Sequence, residues 1–99
     1  MSLATQIDNN TVFIKNYISS NLFLRKSANY FFETIINQIK NNLVLVDFSN
    51  IESISHSFAH QYLINKQNTN KTIKEINVPK NMSLILDLIA ESFESDKIK

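Results

Sequence analysis

His56 and His60 stand four residues apart, with Ser55 and Ser57 flanking the first of them, and no other stretch of the chain gathers so many groups capable of chemistry. On a helix that spacing brings both imidazoles to one face, a geometry zinc can use. A third ligand is wanting: the 99 residues hold no other His and no Cys, and no Glu lies between the pair as in a metalloprotease helix. No metal is therefore expected, and two half-exposed histidines on a binding face account for the pair. A small enzyme using Ser57, His56 and Asp47 is the rival chemistry, but no nucleophile-elbow or oxyanion-hole sequence accompanies these residues. The chain has no Gly, hence no glycine-rich phosphate loop, and no nucleotide or other cofactor is expected.

Ser55 and Ser57 have two readings. As the N-cap of a helix, a serine hydroxyl accepts a backbone N–H and contributes about 1 kcal/mol. As a phosphoacceptor, it would place a charge of about −1.5 to −2 where the helix end is electropositive. Capping is the commoner use of Ser at a helix start. Asp47 ends a hydrophobic run, where its carboxylate can accept loop N–H groups; ligands of α/β sheets also bind beyond strand ends. Arg25 is a candidate partner for Asp47 across that edge.

The elements that must position these groups follow from hydrophobic spacing. Val12, Ile14 and Ile18 share a face at period two, which predicts a half-buried strand over Thr11–Ile18, preceded by a polar leader, Met1–Asn10. Ser19-Ser20-Asn21 is a turn. From Leu24 to Lys40, Ala28, Phe31 or Phe32, Ile35, Ile36 and Ile39 recur at helical steps, and Asn41-Asn42 offers a left-handed cap in place of Gly. Tyr30-Phe31-Phe32 cannot all face inward, so one belongs at a rim or a dimer contact. Leu43–Phe48 reads as a strand buried on both faces. Ser49–Ser55 is a loop with Ile51 and Ile54 turned inward, and Phe58, Ala59, Tyr62 and Leu63 stripe a second helix ending near Asn65. Thr72–Val78 is a third strand stopped by Pro79. Met82, Ile85, Leu86, Leu88, Ile89 and Phe93 stripe a third helix, with a frayed tail from Ser95.

Strand, helix, strand, helix, strand, helix predicts a single α/β domain over residues 1–99, its core about 11–94. The central sheet is small, parallel or mixed, with helices packed on it and the second and third strands adjacent. The direction of the first strand stays open.

Leu43 to Leu63, reading LVLVDFSNIESISHSFAHQYL, resembles the STAS domain shared by sulfate transporters and anti-sigma factor antagonists. It resembles more closely the small STAS-like family of unassigned function, in which a strand ending in Asp-Phe leads to an Ile-Ser-x-Ser-Phe-Ala segment opening a helix. Arg25 to Ala28 before it, and the strand and helix after it, extend the likeness to about Thr11–Phe93. The resemblance implies a sheet-and-helix fold and a protein-interaction role in signalling. It also implies a protein partner such as a histidine-kinase-like ATPase. Phospho-switch members of the wider group start this helix with an Asp-Ser-Ser-Gly-like sequence whose first Ser is phosphorylated. Here Ser55, His56, Ser57 and Phe58 occupy those places, so the phosphoacceptor of the family is missing.

Composition narrows the function further. Ten basic and nine acidic residues give a net charge of +1, which provides no electrostatic drive toward nucleic acid or an anionic membrane. Absence of Cys removes disulfides and thiolate sites. No apolar run reaches the roughly 18–20 residues of a membrane span, and Met1–Gln6 lacks the features of a secretory signal, so a cytoplasmic location is expected. The leading expectation is a non-catalytic regulatory module that docks on a protein through Ser55, His56, Ser57 and His60, supported by Asp47 and Arg25. A homodimerising structural domain is the alternative, and the Ser/His/Asp enzyme ranks third.

Overall fold

The computed structural model describes the backbone of residues 10–98 and the side chains of residues 10–93. Strand β1 (Thr11–Phe13) leads into a single helical turn, α1 (Ile14–Tyr17), and a two-residue strand, β2 (Asn21–Leu22). A helical stretch follows, of which Arg25–Tyr30 is α-helical (α2), Phe31–Ile35 a π-turn and Ile36–Gln38 a 3₁₀ turn. The remaining elements are β3 (Leu43–Asp47), β4 (Ser53–Ile54), α3 (His56–Asn68), β5 (Thr72–Ile76) and α4 (Lys80–Ile98). The polar leader expected at Met1–Asn10 lies, up to residue 9, outside the described residues. None of the described helices is long and apolar enough to cross a membrane.

Three strands form one parallel sheet in the order β1-β3-β5, with Thr11 opposite Leu45 and Leu43 opposite Thr72. The second and third long strands are neighbours, as alternation required, and the first joins them parallel. The short pair β2-β4 is also parallel and makes a separate ladder. Because the strand order advances in one direction, right-handed crossovers deliver the helices to a single face. Val12, Val44, Val46 and Ile73 point to that face and are buried with Phe31, Phe32, Phe58, Tyr62, Met82 and Ile89.

This one-sidedness corrects the reading of β3 as a strand covered on both faces. Leu43 is 40% exposed and Leu45 half-buried, while Val44 and Val46 are fully buried. Phe13, Leu43, Leu45 and Lys74 therefore line a sheet face on which none of the described helices lies. The first strand is also shorter than its period-two pattern implied. Its partner β3 ends at Asp47, opposite Phe13, and the chain closes a helical turn there with Ile18 N–H donating to Ile14 O at 3.1 Å. Ile14 stays buried in either geometry, which is why the spacing misled.

The long second element occupies almost the expected span but changes pitch. A π-turn rotates successive side chains by less than an α-turn does, and Phe31 and Phe32 are both buried while Tyr30 lies at the rim, half exposed. The left-handed cap expected at Asn41-Asn42 does not form. Ile39 ends the helix in extended conformation, and the Lys71 ammonium donates to the carbonyls of Ile39 and Asn41 instead. Asn does take over the role of Gly elsewhere: Asn50 (φ 65°) and Asn77 (φ 55°) are the left-handed residues among those described. The second stripe runs on to Asn68, and the third helix continues as backbone helix through Ile98, past the fraying point expected at Ser95. Pro79 launches α4, its carbonyl accepting from Met82 and Ser83 N–H.

Candidate functional site

Strand β4 delivers the chain to α3 through Ser55, whose backbone is extended (φ −88°, ψ 159°). Its Oγ accepts from Phe58 N–H at 3.0 Å, the N-cap bond, and donates to Phe23 O at 2.7 Å. Its own N–H donates to Leu22 O at 2.8 Å. One serine thus caps α3 and ties the start of that helix to the segment between β2 and α2. The capping reading holds for Ser55, and its hydroxyl is committed to structure. A second tie, Ser53 Oγ donating to Asn21 Oδ1 at 2.6 Å, holds the β2-β4 ladder beneath it.

His56 and Ser57, the first two residues of α3, are exposed, whereas Phe58 is fully buried and stacks on Tyr62 with ring centroids 6.2 Å apart. His60 is half-buried. Arg25 Nη1 lies 3.3 Å from His60 Nδ1, and since a guanidinium can only donate, that nitrogen accepts. Phe93 of α4 meets the imidazole in an edge-on arrangement, ring centroids 5.4 Å apart. Arg25 therefore joins the starts of α2 and α3 and does not reach across to Asp47, contrary to the expected pairing. The physical reason is topology: Arg25 opens α2 beside β2, while Asp47 closes β3 beside β5.

Asp47 is only 5% exposed. Its Oδ1 accepts from Ser49 N–H (2.8 Å) and Ser49 O–H (2.6 Å), and Oδ2 accepts from Asn77 Nδ2 (3.1 Å). Burial pushes its carboxyl pKa up, but the three donors from Ser49 and Asn77 together outweigh that and hold it below the ordinary value. This is a turn-fixing carboxylate at the joined ends of β3 and β5, with both oxygens occupied.

Sequence spacing did not reveal two features. Phe23 and Leu24, 51% and 58% exposed, flank the Ser55 tie and enlarge the surface beside His56 and Ser57. The available signal was an apolar run of three, Leu22-Phe23-Leu24, straight after a turn, fitting neither a strand nor a helix period. The second is a polar relay: Tyr62, fully buried on α3, donates to Glu75 Oε2 at 2.8 Å, and Lys66 pairs with Glu75 Oε1 at 2.9 Å. Burial, then the negative charge of Glu75, pushes the Tyr62 phenol well above its ordinary pKa. Register signals this relay, since Glu75 alternates with Ile73 and so faces the helices.

Among the described residues, no group of three or more His, Cys, Asp or Glu side chains comes together. A cleft of about 360 Å³ between α2 and the end of α3 is lined by amides (Asn29, Asn37, Asn65, Asn68) over Phe32, and neither histidine nor Ser55 nor Ser57 lines it. A second, of about 370 Å³, lies among Tyr17, Ile18, Lys26, Ser27 and Tyr30. The chain matches no protein-family model, no curated protein and no solved structure.

Proposed function

We propose that this chain is a STAS-like domain, a non-catalytic module of signalling or transcriptional regulation that docks on a protein partner through the start of α3. The observation that carries the reading is continuity. Exposed His56 and Ser57 adjoin exposed Phe23 and Leu24, and the Ser55 hydrogen bonds hold the two segments together. A rigidly tied surface that mixes large apolar and polar side chains is what a protein interface needs at its centre. By resemblance, the partner is a histidine-kinase-like ATPase or another signalling protein. Ser57 is the serine left free for modification, since Ser55 is the cap. The enzymatic alternative has less support: Asp47, the acid it needs, gives its carboxylate to Ser49 and Asn77.

The test is affinity capture from the host by the wild-type chain and by a His56→Ala/Ser57→Asp/His60→Ala variant, with circular dichroism confirming the fold. Loss of one defined partner from the variant supports the reading; partners captured equally by both chains refute it. A second reading, self-association, draws on the sheet face bearing Phe13 and Leu43, which none of the described helices covers, because all-parallel sheets are normally covered on both sides. Light scattering over a concentration series decides it, and a monomer at the highest concentration removes it.

A further inference from the structure

We infer that the cleft between the α2 stretch and the end of α3 binds a neutral sugar, a monosaccharide or disaccharide held by side-chain amides. The site is separate from the docking surface proposed above: it uses the last turn of α3, whereas His56 and Ser57 open that helix. Asn29, Glu33 and Asn37 recur every four residues along α2 and its π- and 3₁₀ continuation and line one wall, and Asn65, Asn68 and Thr69 line the other. The volume of about 360 Å³ falls within the roughly 300–1,000 Å³ usual for small-molecule sites. Part of the polar lining is already fixed. Gln61 Nε2 donates to Asn65 Oδ1 at 3.0 Å, and Asn65 Nδ2 donates to Asn29 Oδ1 at 2.9 Å. These bonds join the two walls and orient Asn29 and Asn65, so a ligand need not order them on binding. Glu33, Asn37 and Asn68 line the same cleft and are exposed to solvent.

The lining selects among ligands. A carboxamide carries a donor and an acceptor side by side, and a hydroxyl both donates and accepts, so adjacent hydroxyls of a sugar can engage one amide at both of its atoms. The Glu33 carboxylate adds acceptors for further hydroxyls. The end of α3 adds more, because the last carbonyls of a helix lack partners within it and carry partial negative charge. That charge, together with Glu33, disfavours phosphates and carboxylates, which sets nucleotides and sugar phosphates aside. A nucleobase or an apolar peptide side chain would need open aromatic or aliphatic surface. Phe32, the apolar residue of the described lining, is 4% exposed, and its ring already meets Phe31 and Tyr62 edge-on, with centroids 5.9 and 5.3 Å away. Recognition here rests on hydrogen bonds, and a neutral polyhydroxylated ligand supplies the most of them.

The test is a heteronuclear NMR titration of the full chain with glucose, galactose, N-acetylglucosamine, maltose and lactose, each taken to millimolar concentration. At least one should shift the amide signals of Asn29, Asn37, Asn65 and Asn68 in a saturable way. Asn37→Ala and Asn68→Ala, each at an exposed position, should weaken that sugar about fivefold, the effect of losing one hydrogen bond. The two variants are made separately, and the spectrum of each confirms the fold. If no sugar shifts these signals, or if both variants bind as the wild type does, the inference is overturned. Spermidine, adenosine monophosphate and glucose 6-phosphate are titrated alongside; tighter binding of any of these at the same amides also overturns it. Capture of a protein partner by the Asn68→Ala chain should equal that of the wild type, and its loss would mean that the cleft belongs to the docking surface, which overturns the separate sugar site.

Discussion

Replacing Tyr62 by Phe removes one oxygen from the centre of the molecule and nothing else. The ring stays in its aromatic cluster with Phe32, Phe48 and Phe58, all three centroids lying 5.3–6.2 Å away. What goes is the 2.8 Å bond to Glu75 Oε2. A hydrogen bond to a charged group contributes about 1.5–3 kcal/mol. The low end applies, because Glu75 keeps Lys66 as a partner and its side chain is 18% exposed, so water can reach the vacated oxygen. A domain of this size unfolds in urea with a slope of about 1 kcal/mol per M, so Tyr62→Phe should lower the midpoint by about 1.5 M at unchanged slope. The loss should largely vanish when Glu75→Ala, which leaves no acceptor, is already present, since the two residues act through one bond. A second signature is alkaline. The folded phenol titrates well above the ordinary tyrosine value near 10, so above that pH the unfolded chain releases a proton that the folded one keeps. Stability should therefore fall as pH climbs past 10 in the wild type, and less steeply in Tyr62→Phe. A midpoint shift under about 0.5 M, or an equal shift in the Glu75→Ala background, would refute the account of this relay.

Ser55→Ala should cost about 1–2 kcal/mol in urea unfolding, more than an ordinary cap, because the hydroxyl also donates to Phe23 O. Hydrogen exchange should show faster opening at the start of α3, and protection equal to wild type there would count against the tie. Asp47→Asn should cost about 1 kcal/mol near neutral pH. Because the folded Asp47 pKa is depressed, its stabilisation is present above the unfolded value near 3.9 and is lost as pH falls through the folded one, so the variant and wild type should converge in acid. Asn50→Gly and Asn77→Gly separate backbone from side chain. Both fit a left-handed residue, yet only Asn77 donates to Asp47, so the first should change stability by less than about 0.5 kcal/mol and the second should lower it by about 1 kcal/mol.

Strand and helix periods placed β3, α3 and β5 within a few residues, because Val44, Val46, Phe58, Tyr62 and Ile73 have to be buried whatever the topology. A serine N-cap before the apolar stripe was likewise readable, though only as Ser55 or Ser57; the bond to Phe58 N–H assigns it to Ser55. What spacing could not carry is pairing between distant segments. Ile14 is buried as either strand or helix, so its pattern could not say where β1 stops. The two-residue strands β2 and β4 are too short for any period to register, although they bring Phe23, Leu24 and Arg25 beside Ser55 and His60. Arg25 was assigned to Asp47 because both lie at ends of elements, and only their three-dimensional positions show that these ends are different ones. The π-turn at Phe31–Ile35 was not legible; three consecutive aromatics required only that one lie at a rim, which Tyr30 does.

Every strand pairing among the described residues is parallel, and that has a kinetic consequence. A hairpin zips outward from its turn, whereas each ladder here joins segments about thirty residues apart, so a long loop must close before the first bond of a ladder forms. Strand β3 is the shared partner of β1 and β5 and lies mid-chain. Folding should wait on its docking, and a chain emerging from the ribosome has no complete sheet until β5 has been made.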